Sequence, residues 1–158
     1  MFYSILDTPL GVLTIKASTE VVEFIEYDIS DIEENPGELT EYVKKQLQEY
    51  FKGLRSSFDF PLEQTGTDFQ KRVWDELKKI TPGNPITYAA LSKRMNNPLA
   101  IRAIASANGR NKLMIAVPCH RVIGSGGELV GYAGGLWRKQ WLLEHEARMM
   151  NLGQSTLL

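Results

Sequence analysis

The hydrophobic pattern changes its period part-way along the chain, and this limits the fold more than any other feature. Up to Tyr27, apolar and branched side chains come in short runs: Phe2 to Asp7, Val12 to Ala17 and Val21 to Tyr27. Thr8-Pro9-Leu10-Gly11 between the first two runs is a turn signal, which predicts a hairpin followed by a third strand. Residues 28–38 are polar and acidic and contain Pro36-Gly37, so they predict a surface loop. From Leu39 the spacing becomes helical, through Tyr42, Val43, Leu47, Tyr50, Phe51 and Leu54, with Gly53 as terminator.

Residues 55–66 read as a link to a second, mainly helical region. Thr67 and Gln70 form a capping-box signature for a helix reaching about Lys79, with Phe69, Val73, Trp74 and Leu77 on its apolar face. Thr81-Pro82-Gly83-Asn84-Pro85 breaks it, and Thr87 caps a short helix from Tyr88 to about Met95. Asn97 as N-cap and Pro98 as first helical residue predict another helix, ending near Gly109. Two short helices joined by a tight turn read as a helix-turn-helix. The second carries Ala100, Ala103, Ala105, Ser106 and Ala107. Such small side chains permit close approach, either to a neighbouring helix or to an outside surface, and the sequence leaves both open. Leu113 to Val117 is a continuous apolar run that predicts buried extended chain. Leu136 to about Met149 is a final helix. The glycine-rich stretches 124–127 and 131–135 lack the spacing of a phosphate-binding loop.

Charge separates the same two regions. Residues 1–67 hold 5 basic and 13 acidic side chains, and residues 68–158 hold 13 basic and 6 acidic. No acidic residue occurs between Glu76 and Glu128, a stretch that contains Lys78, Lys79, Lys93, Arg94, Arg102, Arg110, Lys112 and Arg121. A basic second half suggests a polyanionic partner, although attraction between two oppositely charged halves gives the same pattern. A length of 158 residues with 43% hydrophobic content is enough for a real core. No apolar run reaches the length of a membrane span, and the N-terminus lacks the pattern of a signal peptide.

The chain has one cysteine, Cys119, in the run Pro118-Cys119-His120-Arg121-Val122. It can form no intramolecular disulfide, it suits a reducing, cytoplasmic setting, and a cysteine-cluster metal site is excluded. A lone cysteine is usually a small buried hydrophobe. Here a histidine that could take its proton and an arginine whose charge favours a thiolate adjoin it, so it is the first candidate for chemistry.

Several motifs follow in one order. They are Thr87-Tyr88, Asn97-Pro98 with Arg102, Asn111, Pro118-Cys119-His120-Arg121-Val122, Gly131-Tyr132-Ala133-Gly134-Gly135 and Trp141-Leu142-Leu143-Glu144-His145-Glu146. Over residues 66–150 this order resembles the O6-alkylguanine-DNA alkyltransferases. The resemblance implies an α+β chain: a small RNase H-like α/β domain over residues 1–65, and a mainly helical, winged helix-turn-helix-like domain over residues 66–158 that binds DNA and carries the reactive cysteine. It implies DNA repair by direct, irreversible, single-use transfer of a methyl or alkyl group from O6 of guanine to Cys119, with O4 of thymine as a further target. No cofactor or metal is implied. The partner is duplex DNA carrying the lesion, met by a monomer, with no membrane involved; the setting is cytoplasmic, or nuclear in a eukaryote.

The resemblance also distributes roles. His120 takes the thiol proton through a water, Glu146 holds His120, and Asn111 supports the cysteine loop. Tyr88 donates a proton towards the base. The backbone carbonyls of Cys119 and Val122 read the exocyclic amine, and the Ala133 amide donates to O6. Tyr132 walls the base pocket, Met114 lies near its mouth, and Gly134 leaves room for larger alkyl groups. Arg102 fills the gap left by a flipped base, with Ala100, Ala103, Ala105 and Arg110 against the DNA. Ile101 stands where many members have a small residue.

Overall fold

The structure is a computed structural model that describes residues 1–156, with side chains as far as Asn151. It divides into two compact units, Met1–Thr65 with Lys112–Ala116, and Gly66–Asn111 with the rest of the chain from Val117. The first boundary falls at the end of the linking stretch. The return of Lys112–Ala116 to the first unit was not foreseen, because a short apolar run carries no mark of which sheet it will join.

In the first unit, β1 (Phe2–Thr8) and β2 (Gly11–Ala17) form the expected hairpin, paired from Phe2↔Ala17 to Thr8↔Gly11. Pro9 and Leu10 make the loop, and Gly11 takes the positive φ of 109° that the tight turn requires. β3 (Val22–Tyr27) pairs antiparallel with β2, with a register shift at Lys16/Ala17. α1 (Glu38–Phe51) covers one face of β1 and β2. Its Val43, Leu47 and Tyr50 are wholly buried, as are Leu13, Ile15 and Ile25 from the sheet. Each such side chain contributes roughly 1.5–3 kcal/mol on leaving water. The Ser4 hydroxyl donates to Glu41 Oε2 at 2.7 Å and lies 2.9 Å from Thr40 Oγ1.

The segment Lys112–Ala116 adds to the free edge of β3. Ile25 N–H donates to Lys112 O at 2.9 Å, and Met114 N–H to Ile25 O at 3.0 Å. The predicted extended run therefore holds only as far as Met114. Ile115 has φ = 71°, a conformation unfavourable for a branched residue, and it turns the chain while keeping its side chain buried.

The second unit comprises α2 (Asp68–Leu77), β4 (Ile86–Thr87), α3 (Tyr88–Arg94), α4 (Ile101–Gly109), a single 3-10 turn at Cys119–Arg121, β5 (Val122–Ile123) and α5 (Leu136–Thr156). The α+β class read from the sequence is correct. The capping box of α2 is present in both directions, Gln70 N–H to Thr67 Oγ1 and Thr67 N–H to Gln70 Oε1. Thr87 caps α3 through Ala90 N–H. The start of α4 departs from expectation. Asn97 does not cap it. Instead Ala100 N–H bonds back to Asn97 O at 3.1 Å, so Asn97 to Ala100 form a turn and the helix begins at Ile101. Leu99 in that turn is almost wholly exposed.

α4 packs on α2 and α3. Trp74 Nε1 donates to Ala107 O at 2.9 Å, which requires the close approach that an alanine allows. Ile104, Ala107 and Asn108 face inward, whereas Arg102, Ala103 and Ser106 are exposed. β4 and β5 pair in parallel, Ile86↔Val122 and Thr87↔Ile123, so the start of α3 is fixed beside the cysteine turn.

Candidate active site

Cys119 opens the 3-10 turn and is buried. Asn111 Nδ2 donates to Val117 O at 2.8 Å, fixing the bend just ahead of the cysteine. His120 and Glu146 are wholly buried, and His120 Nε2 lies 2.8 Å from Glu146 Oε2. A carboxylate only accepts here, so Nε2 carries the proton and Nδ1 is left with a lone pair. Nδ1 has no hydrogen-bond partner among the described residues.

Arg121 completes this cluster. Its Nε and Nη2 donate to the two oxygens of Glu146 at 2.8 and 2.9 Å, and its Nη1 donates to Ile80 O at 2.6 Å. The guanidinium is thus spent on the carboxylate. The cation that acts on the thiol is instead Lys139, whose ammonium is also held by Val130 O at 2.7 Å and Gly131 O at 3.3 Å. This corrects the expectation that Arg121 itself favours the thiolate.

Burial governs the protonation states. It pushes the Cys119 thiol up, against a hydrogen bond from Asn111 and the charge of Lys139. It pushes the His120 imidazole down, against the attraction of Glu146. Burial alone would raise Glu146, but His120 and Arg121 outweigh it and hold the carboxyl well below its usual range. The resting site is therefore a neutral thiol beside a neutral imidazole, with one anion neutralised by one arginine. Such a site can make a thiolate by moving a proton a short way, without storing the anion beforehand.

Tyr88, at the start of α3, is buried, and its hydroxyl receives a hydrogen bond from Asn108 Nδ2 at 3.0 Å. The same nitrogen lies 3.4 Å from Cys119 O, which also accepts from Val122 N–H. Val122 is wholly buried. The Tyr132 ring stands edge-on to His120 with centroids 6.4 Å apart. Ala133 is exposed, and its carbonyl accepts from Arg138 Nη1 at 3.5 Å.

The space beside Gly134 is not open. A side chain at that position would run into the Arg138 guanidinium. The arginine side chain folds back over the loop at that glycine. Met114 belongs to the first unit, where it is buried beside β3. On α4, Arg102 and Ala103 are exposed, Ala100 and Ala105 are half-buried, and Arg110 is exposed just beyond the helix. Ile101 is also exposed, at 37%, so it does not face the core.

Residues 1–64 match the family described as 6-O-methylguanine DNA methyltransferase, ribonuclease-like domain, and residues 68–148 match its DNA binding domain. The chain belongs to the 6-O-methylguanine DNA methyltransferase family. It is 39% identical over 153 residues to the methylated-DNA–protein-cysteine methyltransferase of Methanosarcina acetivorans, covering 92% of this chain and 98% of that protein. The constitutive methylated-DNA–protein-cysteine methyltransferase of Bacillus subtilis is 38% identical over 143 residues, covering 84% and 87%. Among solved structures, the Mycobacterium tuberculosis O6-methylguanine methyltransferase superposes with a TM-score of 0.84 at 38% identity, over 94% of this chain and 93% of that one. The same organism's OGT in complex with DNA gives 0.86 at 38% identity, over 94% of each chain.

Within this methyltransferase fold, three inward polar side chains had no part in the sequence reading: Lys139, Asn108 and Arg138. A signal for two of them was present. Lys139 shares a helical stripe with Leu142 and Glu146, and Asn108 shares one with Ile104. A polar residue on a buried stripe needs a partner inside. Among the described residues, no group of histidine, cysteine and carboxylate side chains could hold a metal ion, and no helix is long and apolar enough to cross a membrane.

Proposed function

We propose that this protein repairs DNA by direct reversal, moving a methyl or larger alkyl group from O6 of guanine in duplex DNA to Cys119, once per molecule. The observation that carries this reading is the His120–Glu146–Arg121 cluster, which leaves one imidazole lone pair unspent on the residue that follows the buried Cys119 in the chain. His120 Nδ1 takes the thiol proton through a water. The sulfur attacks the alkyl carbon, the C–O bond breaks, and the electron pair goes to the guanine. Tyr88 donates a proton towards the departing base, making it a better leaving group. Asn111 steadies the bend ahead of the cysteine, Glu146 holds His120, and Lys139 stabilises the thiolate. The Val122 carbonyl reads the exocyclic amine, the Ala133 amide faces O6, and Tyr132 walls the base, with Gly134 further out.

A base paired in duplex cannot reach a buried thiol, so it is flipped out. α3 and α4 act as a helix-turn-helix, with α4 in the minor groove. Arg102 fills the vacated stack, while Ala100, Ala103, Ala105 and Arg110 meet the backbone and groove walls. Protein acting as a monomer, incubated with duplex carrying one O6-methylguanine, should gain one methyl by intact-mass spectrometry, mapped to Cys119. Cys119→Ser should gain none. More than one methyl per protein, or methylation elsewhere, would refute the mechanism; a duplex with O4-methylthymine tests the extension to thymine.

A further inference from the structure

We propose that Asn108 is the residue that positions the phenolic proton of Tyr88 for the departing base. The inference rests on the reading of Tyr88 as proton donor, and adds how the protein keeps that proton available.

The argument begins with the orientation of one amide. Asn108 Nδ2 is 3.0 Å from Tyr88 Oη and 3.4 Å from Cys119 O. A backbone carbonyl only accepts, so the amide nitrogen faces it, and Asn108 Oδ1 is turned to the other side, buried without a partner among the described residues. The same nitrogen faces Tyr88. The phenol oxygen therefore accepts, and its own O–H is not used by Asn108. No other hydrogen bond to Tyr88 is formed among the described residues, so that proton is free to point at a bound base.

Two further observations agree. Burial pushes the Tyr88 phenol up, and the Asn108 hydrogen bond draws it back down, in the sense that makes it a better acid. Asn108 also lies on the inward face of α4, whose outward face carries Arg102. One short helix thus holds the proton donor on one side and presents the proposed base-replacing arginine on the other. An apolar residue at position 108 would fill the space but would leave the phenol oxygen without the donor that fixes its orientation.

Single-turnover methyl transfer from duplex O6-methylguanine to the full chain tests this, with iodoacetamide labelling of Cys119 as a second readout. Iodide leaves without a proton, so labelling reports thiol reactivity alone. We expect Tyr88→Phe to slow methyl transfer by at least about tenfold. Asn108→Ala should slow it about three- to tenfold, with labelling unchanged within about twofold. Asn108→Asp, nearly the same shape, should be slower than Asn108→Ala, because its carboxylate accepts the phenolic proton. In the Tyr88→Phe background, Asn108→Ala should cost nothing further.

Additive losses in the double variant, or equal losses in transfer and labelling, would overturn the proposal and leave Asn108 as packing. A slow Tyr88→Phe with Asn108→Ala and Asn108→Asp both at the wild-type rate would overturn the role of Asn108 alone. Tyr88→Phe at the wild-type rate, with Cys119 still methylated, would overturn the donor reading and this proposal with it.

Discussion

Glu146→Gln is the sharpest test of how the site is held together. The carboxylate receives His120 Nε2 at 2.8 Å, Arg121 Nε at 2.8 Å and Arg121 Nη2 at 2.9 Å, all away from water. Glutamine keeps the shape but replaces one oxygen by an NH2. Whichever way the amide turns, that NH2 meets an N–H of Arg121 or His120, donor against donor. The arginine charge is left buried without a counter-charge, with Ile80 O and the one remaining amide oxygen as its acceptors. Removing one member of a buried ion pair costs about 3–5 kcal/mol, which for a chain of this size lowers the melting temperature by roughly 6–20 °C. Calorimetric melting of wild type and variant at pH 7.5 reads this directly. A loss under about 3 °C is what an exposed pair would give, and it would refute the buried-cluster reasoning. A stricter form adds Arg121→Met with Glu146→Leu. Because both charges then go together, the double variant should melt higher than the sum of the single losses requires.

Three further outcomes are expected. Stability should rise with pH across the acid range: His120 is held below its ordinary 6.5 and Glu146 below its ordinary 4.5, so unfolded chains bind more protons than folded ones. Urea midpoints should therefore be level between about pH 7 and 8, fall below about 6.5 and fall further below about 4.5; a flat profile from pH 7 to 5 would contradict the buried neutral imidazole. Lys139→Met should slow iodoacetamide labelling of Cys119 at pH 7 severalfold, since the one cation acting on the thiol is lost; an unchanged rate would remove Lys139 from the account. Arg102→Ala should weaken reaction with duplex lesions by about 1–3 kcal/mol while leaving reaction with a free O6-alkylguanine base nearly intact, and equal losses in both assays would argue against filling of the stack.

The fold was legible wherever local chemistry decided it. The Thr67/Gln70 box, the Thr87 cap and the Pro9-Leu10 hairpin are set by neighbouring residues, and they appear as predicted. Asn97 misled because its cap signal competes with an i to i+3 turn through Pro98 and Leu99, a choice settled by packing of the helix that follows. Lys112–Ala116 misled because joining a sheet edge depends on a partner ninety residues away in sequence. In the site, the cysteine motif stood out, and the chain of contacts behind it did not. Which cation acts on the thiol, and which on the carboxylate, depends on where Lys139 and Arg121 point, and adjacency in sequence favours the wrong one.

The complete burial of His120 and Glu146 also has a meaning for the proton inventory. In the proposed reaction the thiol gives up one proton and the departing guanine needs one, so substrate and product states carry the same number. The proton taken by His120 and the one given up by Tyr88 sit on different groups, so the cycle closes only when water carries a proton from the first to the second.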